Sequence, residues 1–219
     1  MRTETVENYL KTIYNLSVDN TAVVANQQLA DKLDINPASV TEALRKLHEL
    51  KYVIYEKSYG TRLTTAGVKM ALNIVRRHRI WETYLVKELG FGWDEVHVIA
   101  EELEHVKNDK LINKLAEILG NPVFDPHGDP IPDAKGKIQK SNFIKLSEAK
   151  IKNNYKVMGV TDHSTAFLKY LDKHHLIIGA GVTIKTIEEF DNSIILLCQK
   201  KEVSISPKAA ECIIVQALS

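Results

Sequence analysis

The stretch NQQLADKLDINPASVTEALRKLHELKYV, residues 26–53, decides the fold of the amino-terminal part of the chain. Apolar residues recur in it at three- and four-residue spacings in two places, which predicts two short amphipathic helices. Between them, Asn36 and Pro37 are the residue types preferred at a helix N-cap and at the first helical position. Two short helices joined by such a turn are typical of a helix-turn-helix. The apolar positions are Leu29, Ala30 and Leu33 in the first helix and Val40, Ala43, Leu44 and Leu47 in the second.

The segments on either side of this motif complete a winged helix. Residues 5–16 have the apolar periodicity of an amphipathic helix. After the motif, residues 52–55 and 61–64 predict two short strands around the polar, glycine-containing turn 56–60. Because a hairpin that directly follows a helix-turn-helix is a wing, we assign residues 1–64 to a winged-helix domain.

The second helix of the motif has an outward face suited to a DNA groove. Its apolar positions turn inward, so the rotation of about 100° per residue points the remaining side chains outward. Short side chains at the helix start permit close approach to bases, and basic side chains reach phosphates. The alternative use of a winged helix, contact with another protein, stays open. The predicted DNA-contacting residues are Asn36, Pro37, Ala38, Ser39, Thr41, Glu42, Arg45 and Lys46, with Arg62 on the wing.

Three helices are predicted over residues 65–121, which we assign to a helical domain that dimerises and binds metal. The first runs from a cap at Thr64 or Thr65 to about Leu89. Asp94 is expected to cap the second, which ends near Lys107, and residues 109–119 form the third. A small winged helix attached to this much apolar helical surface most often belongs to a dimer.

A cluster of histidines and carboxylates on these helices indicates a metal site. Two ligand types lie four residues apart on the first helix, and the spacing HxxxExxEH follows on the second. Imidazoles and carboxylates without thiolates suit Mn²⁺ and Fe²⁺, and Zn²⁺ or Co²⁺ bind such sets as tightly by the affinity order. A single histidine is more often packed or on the surface, but the repeated spacing favours ligands. These candidates are His78, Glu82, His97, Glu101, Glu104 and His105.

The last third of the chain predicts a linker and a small β-rich domain. Four prolines and two glycines within residues 122–136 indicate irregular structure, and we place the linker at residues 122–147. β-like runs and one short helix, over residues 164–173, follow. Residues 148–219 therefore predict a small SH3-like β-barrel, so that the fold class is mainly α with a small β part.

Composition and charge exclude several classes of protein. Of the 219 residues, 44% are hydrophobic and 26% are charged, as in ordinary soluble domains. No apolar run approaches the roughly 18 residues that span a bilayer, and the first residues lack a secretory signal, so we expect a cytoplasmic protein without a membrane partner. Two cysteines make neither a disulfide framework nor a thiolate zinc site. Residues 78–127 carry ten acidic and five basic side chains, which suits a cation site.

Several of these stretches together resemble the diphtheria toxin repressor family of metal-dependent transcriptional regulators. The resemblance covers nearly the whole chain, and its carboxyl-terminal part is similar to the family's SH3-like domain. It implies a homodimer that binds operator DNA when Mn²⁺ or Fe²⁺ is bound, represses genes of metal uptake or homeostasis, and is not an enzyme. The stretches are NYLKTIY (8–14), NPASVTEALRKL (36–47), RRHRIWETYL (76–85), VHVIAEELEH (96–105), DPHGDPIP (125–132) and YLDKHHLIIGAGVTI (170–184).

The resemblance also implies a primary and an ancillary metal site. In the primary site, the ligand from the first helix falls on Asn8, where the family has an Asp or a Met, and Glu4 is the alternative. Lys11 stands where short manganese-responsive members have a carboxylate, so their dinuclear arrangement is not expected. The primary ligands are Asn8, Glu101, Glu104 and His105. The ancillary ligands are His78, Glu82 and His97, completed by Asp125, His127 and His163.

Two other functions stay open from the sequence. Glu102-x-x-His105 matches one half of the ligand set of di-metal carboxylate enzymes, but these need the motif twice on a four-helix bundle. A winged-helix regulator that senses an organic effector would leave the histidine and carboxylate cluster unexplained. HExxH, a glycine-rich phosphate loop and a GxSxG elbow are absent from the sequence. These observations favour a metal-dependent repressor.

Overall fold

The computed structural model describes residues 3–17, 22–57, 59–139 and 142–218. Among these residues, none of the helices is long and apolar enough to cross a membrane. The chain divides into two compact units, each built from three segments. Unit 1 consists of Met1–His78, Glu101–Asn113 and Pro132–Lys137. Unit 2 consists of Arg79–Ala100, Lys114–Ile131 and Ile138–Ser219.

The amino-terminal part of unit 1 contains the predicted helix-turn-helix. Helix α1 spans Thr3–Leu16, α2 spans Asn26–Leu33 and α3 spans Pro37–Glu49. Asn36 is the N-cap of α3, and its side chain accepts a backbone N–H from the first turn of the helix. Pro37 takes the first helical position, where a backbone N–H has no partner within the helix. The cap and the helix start that the sequence predicts are therefore confirmed.

The wing is an antiparallel hairpin of strands β1 (Val53–Glu56) and β2 (Gly60–Leu63). Val24, which precedes α2, adds two backbone hydrogen bonds to Thr61, at 2.8 and 2.9 Å. This close approach requires a glycine at position 60. Its φ is +113°, and a Cβ there would lie 2.5 Å from the carbonyl oxygen of Val24.

The core of the winged helix is a single cluster of buried apolar side chains from α1, α2, α3 and the hairpin. Burial of these faces, rather than helix propensity, accounts for most of the stability of such short helices. The completely buried members are Leu10, Ile13, Leu29, Val40, Leu44 and Leu47, together with Ala71 from the helix that follows the hairpin.

Three more helices follow: α4 (Thr65–Lys87), α5 (Val96–Leu103) and α6 (Asp109–Ile118). The Thr64 hydroxyl accepts the backbone N–H of Gly67, so Thr64 caps α4 as expected. The expectation for α5 was wrong at both ends.

Helix α5 starts at Val96 because Asp94 lies inside a turn, in which the Glu95 carboxylate accepts the N–H of Gly92 at 3.0 Å. It ends at Leu103 rather than near Lys107, since the Arg77 Nε binds the carbonyl oxygen of Glu104 at 2.5 Å. Glu104 therefore lies in a turn beyond the helix.

Unit 2 contains an antiparallel sheet of six strands in the order β3-β8-β4-β5-β6-β7. The β-rich carboxyl-terminal part of the predicted fold class is confirmed, but the sheet is not closed. Within the described residues, the end strands β3 and β7 are not paired with each other, so it is an open sheet. A 3-10 turn, Leu146–Glu148, precedes β4. The other elements are β3 (Ile144–Lys145), β4 (Asn154–Val160), α7 (Thr165–Lys173), β5 (Gly181–Ile187), β6 (Ile194–Cys198), β7 (Lys201–Ile205), α8 (Pro207–Cys212) and β8 (Ile213–Ala217).

Candidate metal centres and DNA-binding face

Unit 1 holds a cluster of charged side chains from α1, α4, α5 and the turn after α5. We call it cluster 1. The side chains come together because α1 carries two of them four residues apart on one face, while Glu104 is placed by the turn that ends α5. Its members are Glu7, Lys11, Arg77, His78, Glu101, Glu104 and His105.

The two carboxylates at one end of cluster 1 lie close to a histidine and a lysine. Glu104 is fully buried, and its Oε2 is 2.6 Å from Nδ1 of His78. Lys11 Nζ lies 2.6 Å from Glu104 Oε1 and 2.7 Å from Glu101 Oε1. A ligand atom of His78 is within 4.8 Å of a carboxylate oxygen of Glu101. The structure thus brings together Glu101 and Glu104, predicted for the primary site, and His78, predicted for the ancillary site.

Glu7 organises the other end of cluster 1. His105 Nδ1 lies 2.7 Å from Glu7 Oε2, and the Arg77 guanidinium donates to Glu7 Oε1 at 2.9 Å. Burial raises the pKa of Glu7, but the hydrogen bond with His105 and the charges of Arg77 and Lys107 outweigh it, so the pKa lies below its ordinary value. A carboxylate on Nδ1 fixes the ring and leaves Nε2 for a metal. Sequence reasoning missed Glu7, although its place between the apolar residues of α1 was a usable signal.

The first-helix candidates differ in exposure. The Asn8 side-chain oxygen is buried and has no hydrogen-bond partner among the described residues. Such orphaned acceptors are rare, and a bound cation would satisfy this one. Glu4 is exposed to solvent. Of the two alternatives, Asn8 is therefore the one whose surroundings fit a ligand.

Unit 2 holds a second group, which we call cluster 2. It comprises side chains from α4, α5, the loop after α6 and the residue before the N-cap of α7. Ligand atoms of Glu82, Asp125 and His127 all lie within 4.8 Å of one another, and all three residues are buried. The full cluster is Glu82, His97, Asp125, His127, Asp129 and His163.

The hydrogen bonding of His127 selects one ring nitrogen for a metal. Its Nε2 lies 2.7 Å from the carbonyl oxygen of Trp93, which can only accept, so Nε2 carries the proton in the neutral ring. Nδ1 lies 3.5 Å from Glu82 Oε2 and has no hydrogen-bond partner among the described residues. Metal-ligating histidines usually donate their other ring N–H to a carbonyl or carboxylate in this way, as His127 does to Trp93.

The remaining histidines of cluster 2 lie around the same carboxylates. His97 Nδ1 is 3.2 Å from Glu82 Oε1. The His163 ring stacks on that of His127, with ring centroids 4.7 Å apart, and its Nε2 is 3.7 Å from Asp129 Oδ2. The loop after α6 therefore brings Asp125 and His127 next to His163, so the three residues predicted to complete the ancillary site lie together.

Cluster 2 has more carboxylates than side-chain cations. Arg79 is its nearest cation, 3.5 Å from Asp125 Oδ2 and 3.3 Å from Asp129 Oδ2. Burial and the charges of Glu82 and Asp129 raise the pKa of Asp125 to about 8. Burial lowers the pKa of His127, but the contact with the Glu82 carboxylate and its negative charge outweigh burial and raise that pKa to about 9. Protons thus compensate these groups when no metal is bound, and the donor set fits a divalent cation.

The predicted DNA-contacting residues belong to helix α3 and its N-cap and, for Arg62, to strand β2 of the wing. All of them are exposed except Thr41, which is half-buried and accepts a hydrogen bond from Asn26 at 3.1 Å. Lys46 forms an ion pair with Glu42 at 2.5 Å. Arg45 and the wing residue Arg62 are exposed cations.

Three family models match successive parts of the chain. Residues 1–61 match the iron dependent repressor N-terminal DNA binding domain, residues 64–133 match the iron dependent repressor metal binding and dimerisation domain, and residues 144–217 match the FeoA domain. A solved structure described as a manganese-dependent transcriptional repressor in complex with manganese is 32% identical, covers 97% of this chain and 100% of its own, and has a TM-score of 0.86. The chain belongs to the diphtheria toxin repressor family. The resemblance seen in the sequence and the three-part fold class are thereby confirmed.

Two curated relatives in this family show different extents of similarity. The iron-dependent repressor IdeR of Mycobacterium leprae is 32% identical over 129 residues, which are 59% of this chain and 56% of the relative. The HTH-type transcriptional regulator MntR of Listeria monocytogenes is 29% identical over 135 residues, 62% of this chain and 92% of the relative. The match thus spans little more than half the length of the mycobacterial repressor.

Proposed function

We propose that this protein is a metal-dependent transcriptional repressor. It binds operator DNA as a homodimer when Mn²⁺ or Fe²⁺ is bound, and it controls genes of metal uptake or homeostasis. The observation that carries this proposal is cluster 1, in which residues of α1 meet residues of α4 and of the turn after α5. The iron- and manganese-dependent repressors among the relatives support this function over a di-metal enzyme or a sensor of an organic effector.

The proposed ligands of the first site are Glu101, Glu104 and His105 of cluster 1, with His78 beside them, and Asn8 of helix α1. A bound divalent ion supplies a cross-link of positive charge between α1 and the dimerisation helices. Because Leu10 and Ile13 of α1 are completely buried in the winged-helix core, fixing α1 also fixes the recognition helix α3. DNA and metal then stabilise the same state, so each raises the affinity for the other.

In cluster 2 the proposed ligands are Glu82, His97, Asp125, His127 and His163. Imidazole and carboxylate donors without a thiolate suit Mn²⁺ and Fe²⁺, and Zn²⁺ and Co²⁺ bind the same donors in vitro. His127 offers Nδ1, since Trp93 holds its Nε2. His163 stands two residues before helix α7, so as a ligand it would connect a bound ion to the start of that helix.

The proposed partners are a double-stranded operator and a second copy of the chain. Two copies present two α3 helices, which read successive major grooves of a palindromic site. The DNA contacts are those of the exposed α3 face and Arg62. A regulator of this kind acts where the chromosome is, so we place it in the cytoplasm, and we assign it no catalytic step.

Fluorescence anisotropy of a labelled duplex from upstream of the protein's own gene tests this function. At fixed salt, binding is expected to be weak with chelator and to tighten with Mn²⁺ or Fe²⁺. Glu104→Ala removes a buried ligand and is expected to lower metal-dependent affinity at least about 100-fold. Glu102→Ala, at an exposed position of α5 two residues before Glu104, is the matched control. Equal binding with and without metal would overturn the proposal.

A further inference from the structure

Lys11 places its ammonium group between the two carboxylates that cluster 1 offers to a metal. Its Nζ is 2.7 Å from Glu101 Oε1 and 2.6 Å from Glu104 Oε1, and it also donates to Glu104 Oε2 at 2.8 Å. Only 10% of the Lys11 side chain is exposed, and none of that of Glu104. A positive charge of the chain itself thus occupies the space where a metal would bind these oxygens.

The negative charges of the carboxylates in cluster 1 are paired with the positive charges of Lys11, Arg77 and the nearby Lys107. Three carboxylates, those of Glu7, Glu101 and Glu104, face the cations Lys11 and Arg77, and Lys107 lies 3.2 Å from Glu7. Arg77 binds Glu7 and the backbone carbonyl of Glu104, so it compensates the opposite end of the cluster. Lys11 is therefore the cation that compensates the carboxylates proposed as metal ligands.

We propose that Lys11 is a resident cation of cluster 1, which a metal ion has to displace from Glu101 and Glu104 before it binds there. This inference rests on the proposed function, since it concerns the same ligands. An ammonium ion and a divalent cation a few ångströms apart repel each other strongly in a buried site. The flexible four-carbon side chain of Lys11 allows its ammonium group to move away from the carboxylates. Lys11 thus keeps the carboxylates ordered without metal and raises the metal concentration at which cluster 1 fills.

The test is calorimetric titration of the full chain with Mn²⁺. A His127→Ala background removes a ligand of cluster 2, so that the titration reports cluster 1. In this background, Lys11→Met keeps the length and apolar stem and removes the charge. We expect its dissociation constant for Mn²⁺ to fall at least about tenfold, because no cation has to be displaced. Lys11→Arg and the exposed-lysine control Lys32→Met are expected to stay within about twofold of the parent or to bind more weakly.

The thermal midpoint of the metal-free protein separates this role from a purely structural one. Removing Lys11 takes away the cation that forms an ion pair with the buried Glu104, so Lys11→Met should melt at a lower temperature without metal and yet bind Mn²⁺ more tightly. A structural defect would weaken both. Lys11→Gln provides a second neutral variant if the methionine variant does not fold. Mn²⁺ binding by the neutral variants that is equal to or weaker than that of the parent overturns the inference.

Glu104→Ala in the same background keeps the two proposals apart. Loss of Mn²⁺ binding in this variant places the ion in cluster 1, as the proposed function requires, and the Lys11 variants then decide the inference alone. Unchanged Mn²⁺ binding in Glu104→Ala overturns the assignment of cluster 1 as a metal site, and the role of Lys11 with it.

Discussion

The two clusters contain the same kinds of ligand, but their negative charge is compensated in different ways. In cluster 1, Lys11 and Arg77 form ion pairs at 2.6 to 2.9 Å with the carboxylates of Glu7, Glu101 and Glu104. In cluster 2, Arg79 is at least 3.3 Å from its carboxylates, and the pKa values of Asp125 and His127 are raised to about 8 and about 9. If metal binds both clusters as proposed, it displaces a side-chain cation from cluster 1 and protons from cluster 2.

The kinds of ligand alone therefore do not determine how the metal affinity of a centre depends on pH and on neighbouring charges. A centre that releases protons when it binds metal depends on pH, whereas a centre that releases an ammonium group depends on how easily the lysine withdraws. The predictions below perturb one cluster and leave the other as a reference.

The largest effect is expected from Gly128→Ala, in the loop that carries Asp125 and His127. Gly128 has φ +87°, and a Cβ there would lie 2.0 Å from the backbone carbonyl oxygen of Met158. The backbone of the loop or of β4 would have to move to make room for it. We expect a loss of at least about 3 kcal/mol of stability and loss of Mn²⁺ binding at cluster 2. Urea unfolding measures the loss of stability, and calorimetric titration with Mn²⁺ measures the loss of metal binding.

Gly120→Ala is the matched control for this change. Its φ is +75°, and a Cβ there meets nothing within 4 Å. Only the backbone cost of about 1–2 kcal/mol is expected, with both clusters still binding metal. If the two alanine variants behave alike, the close approach of the loop to β4 does not hold cluster 2 together.

A smaller effect is expected from pH on the metal-free protein. Asp125 and His127 both have folded-state pKa values above their ordinary values, so the stability they contribute is present at low pH and is lost as pH rises through about 8 to 9. The thermal midpoint should fall by about 5 °C or more between pH 6 and pH 9. Differential scanning calorimetry measures it.

Two variations of this experiment identify the source of the pH effect. Mn²⁺ at pH 9 is expected to restore the midpoint, because the ion replaces the lost protons. Asp125→Asn is expected to flatten the dependence, since the amide does not ionise. A metal-free protein that is as stable at pH 9 as at pH 6 argues against proton compensation in cluster 2.

The smallest effect is expected from Asp172→Asn on α7. Asp172 Oδ2 accepts a hydrogen bond from Trp93 Nε1 at 3.1 Å, and the Trp93 carbonyl in turn binds His127. Weakening this charge-assisted bond should cost about 1 kcal/mol and lower the Mn²⁺ affinity of cluster 2 by a few-fold at most. Lys173→Gln, at the next and equally exposed residue, is the control. No change in titrations of the Asp172 variant would show that α7 does not position His127.

The sequence was most informative where local chemistry decides the structure. The cap at Asn36, the first helical position of Pro37 and the hairpin after α3 all follow from short-range preferences, and the structure confirms them. The spacing HxxxExxEH likewise identified residues that the structure places in the two clusters. They are Glu101, Glu104 and His105 in cluster 1 and His97 in cluster 2. Helix periodicity and residue type were sufficient for these features.

The sequence was least informative where long-range contacts decide the structure. Helix α5 ends at Leu103 because Arg77 captures the carbonyl of Glu104, a contact between residues 27 positions apart. The role of Glu7 follows from its contacts with His105 and Arg77, 98 and 70 positions away. Strands β7 and β8 were not predicted, although Ser206 and Pro207 between them are the N-cap and the first helical residue of the short helix α8. The open form of the sheet depends on strand pairing, which periodicity does not reveal.

The most direct test of the difference between the clusters is Mn²⁺ titration by calorimetry at pH 7.5 and pH 9. Glu104→Ala reports cluster 2, and His127→Ala reports cluster 1. Because cluster 2 releases protons, we predict that its affinity rises about tenfold per pH unit, while that of cluster 1 changes by less than about threefold. In the His127→Ala background, Lys11→Met then raises the affinity at both pH values. Equal pH dependence of the two clusters would contradict the account.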